Sequence, residues 1–415
     1  MLRFVYFSLF AFSGLLHAQQ ELEKTGAMVG TVEFCRDGYP LSFPVINIED
    51  DEHLQLRFDL FTTEQDILSY SVTLCDYDWQ LPDVDPNEYI DGYLENTFEA
   101  YSPSINTMVD YVQYRLFVPN SDVKILKPGN YILKVYNSSF PDSIILAKRF
   151  VVFTQKTEPE IEIDGFASQS LITQQELKVT VDPVSIDYSQ LASSIQLMIL
   201  QNNNWRSARY YKKFNYSGSN FLSFNTPGQI VFNGENEFRF FDSKSLKFIS
   251  ERVKRIEYVP PYYHVYLKPD QPRGSKDYFT NEDLNGLFYI DNTDTDYEDV
   301  MDADYIWVHF ELNSEYAYPS DVYIDGAITE WKFTDNYMLF DVDCGCYKGQ
   351  LFLKQGLYNY RYALQEYDTK QFSFDIIEGN HYQTNNSYLA IVYYKPFGEF
   401  YHQPVGVAVT GVNSQ

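Results

Sequence analysis

Apolar residues recur at every second position along most of this chain, and that period admits strands and excludes helices. Leu54, Leu56, Phe58 and Leu60 alternate, as do Leu68, Tyr70, Val72 and Leu74. Val112, Tyr114, Leu116 and Val118 repeat the pattern, followed by Leu177, Val179 and Val181, then Ile195, Leu197 and Ile199, and late in the chain Ile306, Val308, Phe310 and Leu312. Side chains two apart lie on one face of a strand, so each set predicts a half-buried strand. Turn signals separate the runs: Pro119-Asn120, Pro128-Gly129-Asn130, Pro227-Gly228, Asn233-Gly234, Asp325-Gly326 and Gly379-Asn380. No long helical pattern with a capped start interrupts them. The expected fold is all-β, with immunoglobulin-like or early-set β-sandwich domains in tandem and few or no long helices.

Composition agrees and narrows the function classes. The 415 residues include 37 Tyr and 32 Phe, residues that favour strands and half-buried surfaces. A hydrophobic fraction of 45% supports packed cores and argues against wholesale disorder. With 31 Lys+Arg against 58 Asp+Glu the formal charge is −27. That balance argues against binding to nucleic-acid phosphates or to anionic lipid by charge.

Residues 1–18 read as an export signal. Arg3 supplies a short positive region, Phe4 to Leu16 an apolar one, and Ala18 a small residue for cleavage before Gln19. No Cys follows the expected cleavage point, and no later stretch of ~20 apolar residues is long enough to span a bilayer as a helix. Composition shifts then divide the chain into a first domain over 19–158, a middle domain over 159–261 and a C-terminal, early-set-like domain over 262–415. The first boundary is set by Gln155–Pro159, the second by Val259-Pro260-Pro261. The last domain carries a polar loop, Lys268–Asp277, and an acidic one, Asp291–Asp304.

Chemistry is sparsely encoded. There is no G-x-S-x-G elbow, no H-E-x-x-H zinc motif and no glycine-rich phosphate loop. His309 shares an alternating strand with Trp307 and reads as a sheet residue. No catalytic residue, no cofactor and no enzymatic activity are expected. Asn292, Asp294 and Asp296 have the spacing of calcium ligands, but Tyr297 stands where an EF-hand needs Gly and Ala303 where it needs Glu. Asp294 and Asp296 are retained as a weak calcium candidate beside the simpler reading of a solvated acidic loop. Cys344 and Cys346, separated by one residue, are poorly spaced for a direct bridge. Cys35 and Cys75 either pair across facing strands or stay as free buried thiols.

Two resemblances point to function. The segments Val322–Gly326 with Glu330-Trp331, and Leu351–Gly356 with Leu357–Tyr362, resemble early-set sandwiches, including starch- and glycogen-binding modules, over a short stretch. That resemblance implies Trp331, Tyr323, Tyr358 and Tyr360 as sugar-stacking candidates; the alternative for Trp331 is a core-packing role. A longer one covers residues 30–400. Its motifs are Ser71–Trp79, Glu88–Tyr93, Ser102–Thr107, Tyr111–Tyr114, Val118–Asn120, Lys127–Tyr136, Phe232–Asp242, Tyr278–Gly286 and Tyr393–Gly398. In this order they resemble the type IX secretion system plug protein family.

The family resemblance implies a periplasmic, non-enzymatic β protein at the inner face of the outer membrane. It implies a plug that binds the large outer-membrane β-barrel translocon and seals its periplasmic opening when no cargo passes. No nucleic acid and no direct membrane span are expected, and carbohydrate is the alternative partner. One departure is visible in Phe400–Gly406, where an acidic residue and a larger hydrophobe are expected before Gly406. The motif residues themselves read as scaffold, Asp76 and Asp78 fixing a turn beneath Trp79. The loops 268–286 and 291–304 are the expected contact with the translocon.

Overall fold

A computed structural model describes residues 22–411 apart from 64–65, 165–171, 217–220, 296–299 and 368–370. Residues 1–18, read as the export signal, and Asp296 lie outside the described residues. The fold is all-β, and its two described α-helices, Pro86–Tyr89 and Tyr188–Ser194, are single-turn or two-turn connectors.

In the first unit the alternating runs face each other. One sheet runs Lys24–Thr25, Phe140–Phe153, Gly129–Asn137, Leu68–Cys75, Asn96–Thr97, and Val45–Asn47 joins Phe140–Phe153 in parallel. The opposing sheet runs Val29–Arg36, Leu54–Leu60, Val112–Val118, Ala100–Pro103. Leu54, Leu56, Phe58 and Leu60 meet Leu68, Tyr70, Val72 and Leu74 in one core, together with Tyr131, Leu133 and Val135. Period two gives each strand one inward face, so burying that face fixes the register.

The second unit packs Thr157–Asp164, Gln174–Pro183, Leu222–Phe224 and Asn215–Tyr216 over a sheet ordered Asn204–Tyr211, Gln196–Gln201, Tyr388–Tyr394, Gln403–Thr410. Tyr388–Tyr394 is buried at all of its positions. Tyr388, Ala390 and Val392 enter the second core, while Leu389, Ile391 and Tyr393 meet Cys75, Ile132, Ala147 and Val151 of the first unit. A continuous apolar strand of this kind needs cover on both faces. The two sandwiches therefore stack sheet on sheet, four layers deep.

The third unit is a ten-stranded sheet curled around its own core. Its main path runs Arg239–Asp242, Gly356–Gln365, Asp321–Asp325, Tyr337–Asp341, Cys346–Lys354, Tyr305–Asn313, Tyr262–Leu267, Val253–Val259. Ile306, Val308, Phe310 and Leu312 point inward against Tyr358, Tyr360 and Tyr362.

These pairings draw the domains differently from the composition. Arg239–Asp242 and Val253–Val259, placed by sequence in the middle domain, belong to the third sheet. Tyr388–Tyr394 and Gln403–Thr410, placed in the last domain, complete the middle one. The third unit is thus inserted between Val231–Asn233 and Tyr388–Tyr394. Pro260-Pro261 sits at the tip of a hairpin, Val259 pairing with Tyr262. A hairpin tip and a linker share the same residues, so composition does not separate them.

Both chain crossings into the insertion are locked by buried amides. Asn386 Nδ2 donates to Gln175 Oε1 at 2.9 Å and to the Gly234 carbonyl at 2.7 Å, and Asn202 Nδ2 donates to Asn386 Oδ1 at 2.7 Å. Gly234 is held close enough that a Cβ there would stand 2.1 Å from the His381 carbonyl oxygen.

The cysteines also depart in part from the spacing argument. Cys344 and Cys346 are disulfide-bonded with Cα atoms 5.3 Å apart, across a turn in which Gly345 takes φ +61°. The left-handed glycine folds the chain back over one residue, which spacing alone does not reveal. Cys35 and Cys75 are free and buried. Cys75 follows Leu74, so its parity turns it away from the first core toward the second unit.

Candidate interaction surface

Four of the motifs that carry the longer resemblance, Ser71–Trp79, Glu88–Tyr93, Lys127–Tyr136 and Tyr393–Gly398, lie far apart in sequence and meet at one corner, where the first and second units join. Asp76 opens a turn: its backbone N–H donates to the Gln80 carbonyl at 2.8 Å, and its carbonyl accepts from the Trp79 N–H at 2.9 Å. Trp79 adopts φ +67° there and packs edge-on against Trp205 of the second unit at 5.1 Å. The Arg149 guanidinium covers both indoles, at 5.3 and 4.8 Å.

Asn130 is the central bracket. Its Nδ2 donates to the Asp76 and Tyr77 carbonyls, each at 3.3 Å, and its Oδ1 accepts from Tyr393 OH at 2.9 Å. Asp76 Oδ1 accepts from the His402 N–H at 2.8 Å and stands 3.0 Å from His402 Nδ1. Burial pushes the Asp76 carboxyl upward, but the His402 contacts prevail and hold it below its ordinary value. Tyr401 is fully buried in the first core and donates to the Pro128 carbonyl at 2.9 Å. Lys127 Nζ lies 3.0 Å from Glu88 Oε2 and 3.6 Å from Glu399 Oε2. Scaffold roles account for all of these contacts.

What the scaffold presents is apolar. The loop between Tyr394 and Gln403 turns at Gly398, φ +89°, and leaves Phe397 fully exposed and Phe400 at 65%. Leu126, next to Lys127, is 50% exposed, and Leu81, just past the Asp76 turn, is 72% exposed. Single exposed hydrophobes are ordinary; several on loops that meet at one rigid corner make it a candidate interaction surface. The departing segment also has a packing role. A Cβ at Gly406 would stand 2.2 Å from Thr157 Oγ1, so the final strand lies tight against the start of the second unit.

The other predicted residues are scattered. Trp331 is 7% exposed, edge-on to Phe238 at 6.0 Å and beneath Gly286, whose missing Cβ would stand 2.4 Å from the indole. Tyr358 and Tyr360 are core residues, and Tyr360 OH donates to Asp270 Oδ2 at 2.6 Å. Tyr323 is half-buried between Phe333 and Phe372, each at 5.6 Å. A sugar-binding face needs an exposed platform, and these four side chains are not gathered into one.

Asp294 uses both carboxylate oxygens to close its loop, accepting from Ser245 Oγ at 2.6 Å and from the Leu246 N–H at 2.7 Å. The end of the acidic loop, residues 300–304, docks on the first unit. Tyr111 OH donates to the Met301 and Ala303 carbonyls, both at 3.0 Å, and Asp304 accepts from the Met108 N–H at 2.9 Å. Burial raises the Asp304 carboxyl, with backbone hydrogen bonds opposing. His309 lies on the sheet surface with its Nε2 2.8 Å from His264 Nδ1 and its ring stacked on Tyr266 at 4.3 Å. Burial, then His264 and Arg255, lower it to about 4, so it is neutral near pH 7.

Residues 29–154, the first sandwich, match the family described as Type 9 secretion system plug protein 1st domain. A crystal structure of a hypothetical protein from Parabacteroides merdae ATCC 43184 shares the fold over nearly the whole length. The TM-score is 0.87 at 28% identity, covering 94% of this chain and 98% of that one. No curated protein matches the chain. The first unit, with the motifs that meet at its junction with the second, is thus similar to the first domain of the type 9 secretion system plug proteins, the family that the sequence resembles.

Proposed function

We propose that this protein is a non-enzymatic periplasmic plug of a type IX secretion system. It binds the large outer-membrane β-barrel translocon and seals its periplasmic opening when no cargo is passing. The observation that carries this reading is the family match over the first sandwich. The match supports a role in type IX secretion, contact with the secretion machinery and an envelope-associated location.

The construction suits the task. A plug must cover a wide aqueous mouth without yielding, and stacked sheets deform little because their interiors are close-packed. The corner bearing Leu126, Phe397 and Phe400 is the proposed contact. No described helix is long and apolar enough to cross a membrane, so attachment through this surface does not involve a helical anchor among the described residues.

The test is a mild-detergent pull-down of tagged protein from its own cells, with mass spectrometry of the partners. Wild type is expected to recover a very large outer-membrane β-barrel, and a Phe397→Ser/Phe400→Ser variant much less of it. Recovery of the folded wild type without any such barrel would overturn the reading. Equal recovery by the variant would move the contact elsewhere.

A further inference from the structure

The third unit carries a cleft of about 440 Å³, away from the corner described above and lined in part by the loop 269–281. Buried Asp270 lines it, and a second buried carboxylate, Glu378, is bonded to two of its lining arginines. Asp270 Oδ1 accepts from Arg239 Nη1 at 3.0 Å and Arg252 Nη2 at 2.7 Å, while its Oδ2 accepts from Tyr360 OH at 2.6 Å and Tyr362 OH at 2.8 Å. Glu378 accepts from Arg239 Nε at 3.0 Å, Arg273 Nε at 2.6 Å and the Tyr362 N–H at 2.8 Å. Both carboxylates are saturated, yet three guanidiniums surround them.

Arg239 spends all three nitrogens inside the network, its Nη2 donating to the Gln271 carbonyl at 2.9 Å. Arg252 and Arg273 do not. Arg252 uses Nη2 alone, and Arg273 uses Nε together with Nη2, the latter on the Glu237 carbonyl. Among the described residues, Nε and Nη1 of Arg252 and Nη1 of Arg273 have no protein partner. Both side chains line the cleft and are only partly buried, with 28% and 23% exposure. Lys276 is exposed on the same lining, where Asp277 is its one acidic neighbour in sequence. Phe279, 80% exposed, supplies an apolar wall.

A chain with a formal charge of −27 thus holds a locally cationic cleft whose spare N–H groups are fixed from behind. Guanidinium forks match carboxylate geometry and bind it by charge-assisted hydrogen bonds. Repulsion from the remaining acidic surface is screened beyond ~8 Å at physiological ionic strength, so recognition here is short-range. We infer that this cleft binds a carboxylate of an acidic peptide segment, with Arg252, Arg273 and Lys276 as the anion contacts and Phe279 against the peptide's apolar part.

The purified full chain tests this by fluorescence polarisation at physiological salt. One probe is a labelled Glu- and Asp-rich peptide with an amidated end; the other is its Gln and Asn counterpart with a free terminal carboxylate. Binding of the first assigns side-chain carboxylates, and binding of the second assigns a chain terminus. Arg252→Gln and Lys276→Gln are each expected to weaken the bound probe by at least about tenfold, the effect of one lost charge-assisted contact. Lys276 is exposed, so its variant folds even if the Arg252 network is disturbed. Binding of neither peptide by the folded wild type, binding of inorganic phosphate alone, or unchanged affinity in both variants overturns the inference.

Discussion

Substituting Asp59→Asn strands a buried lysine between the first and third units. Asp59 is 1% exposed on Leu54–Leu60, and its Oδ2 accepts from Lys354 Nζ and from Tyr305 OH, both at 2.7 Å. Tyr305 OH in turn accepts from the Thr31 N–H at 2.7 Å, and Lys354 Nζ sits 4.2 Å above the Tyr111 ring. At 2.7 Å the gross attraction is about 6 kcal/mol with an effective dielectric of about 20. Desolvation of both ions offsets most of that, so the pair as a whole stabilises little. Removing one partner is different, because the other charge stays buried, and the expected loss is about 3–5 kcal/mol.

With a urea slope of about 4 kcal/mol/M for a chain this large, the midpoint falls by roughly 1 M. Tryptophan fluorescence is the assay, since Trp307 and Trp331 report the third unit while Trp79 and Trp205 report the junction of the first two. The double variant Asp59→Leu/Lys354→Met is expected to regain most of the loss, because no ion is left buried. Burial lowers the Lys354 pKa against the opposing pull of Asp59. Its folded value thus lies below the unfolded ~10.4, so between the two the unfolded state holds more protons and stability rises with pH. In Asp59→Asn that window opens at lower pH. A single-variant midpoint within about 0.2 M of wild type, or a double variant weaker than both singles, would refute the reasoning.

The remaining expectations are narrower. Trp331→Ala is expected to cost about 3–5 kcal/mol by opening a void between Gly286 and Phe238; a loss under about 1 kcal/mol in urea would contradict its interior role. A thiol reagent is expected to count no reactive cysteine in the native protein, because burial pushes both Cys35 and Cys75 up to about 12. It should count these two on unfolding without reductant and all four after reduction; two reactive thiols at Cys344 and Cys346 in the native protein would disprove the bridge. Burial raises Glu378, but Arg239 and Arg273 prevail and hold it at about 2; burial likewise raises Glu330, which Lys148 and Lys332 hold at about 2. Both folded values lie below the unfolded ~4.3, so their stability is present above that pH and is lost as pH falls toward 2. Circular dichroism across acid titration checks it, and a flat signal and unchanged urea midpoint from pH 5 to 2.5 would count against it.

Strand content and each strand's inward face were legible in the residue order alone. Leu54 to Leu60, Val112 to Val118 and Ile306 to Leu312 enter cores as their alternation requires, because the period of two is local and survives any tertiary arrangement. Ordered motifs were equally legible, since a family resemblance is read along the chain. Which strands share a sheet was settled by the packed fold. It returned Tyr388–Tyr394 to the middle unit, turned Val259-Pro260-Pro261 from a boundary into a hairpin tip, and put Trp331 inside. It also brought Asp76 to His402 across 326 positions and gathered Arg252, Arg273 and Lys276 around one cleft. Residue spacing carries information over a few positions. Contacts between distant segments depend on which apolar faces cover one another, and that choice is made by the packed whole.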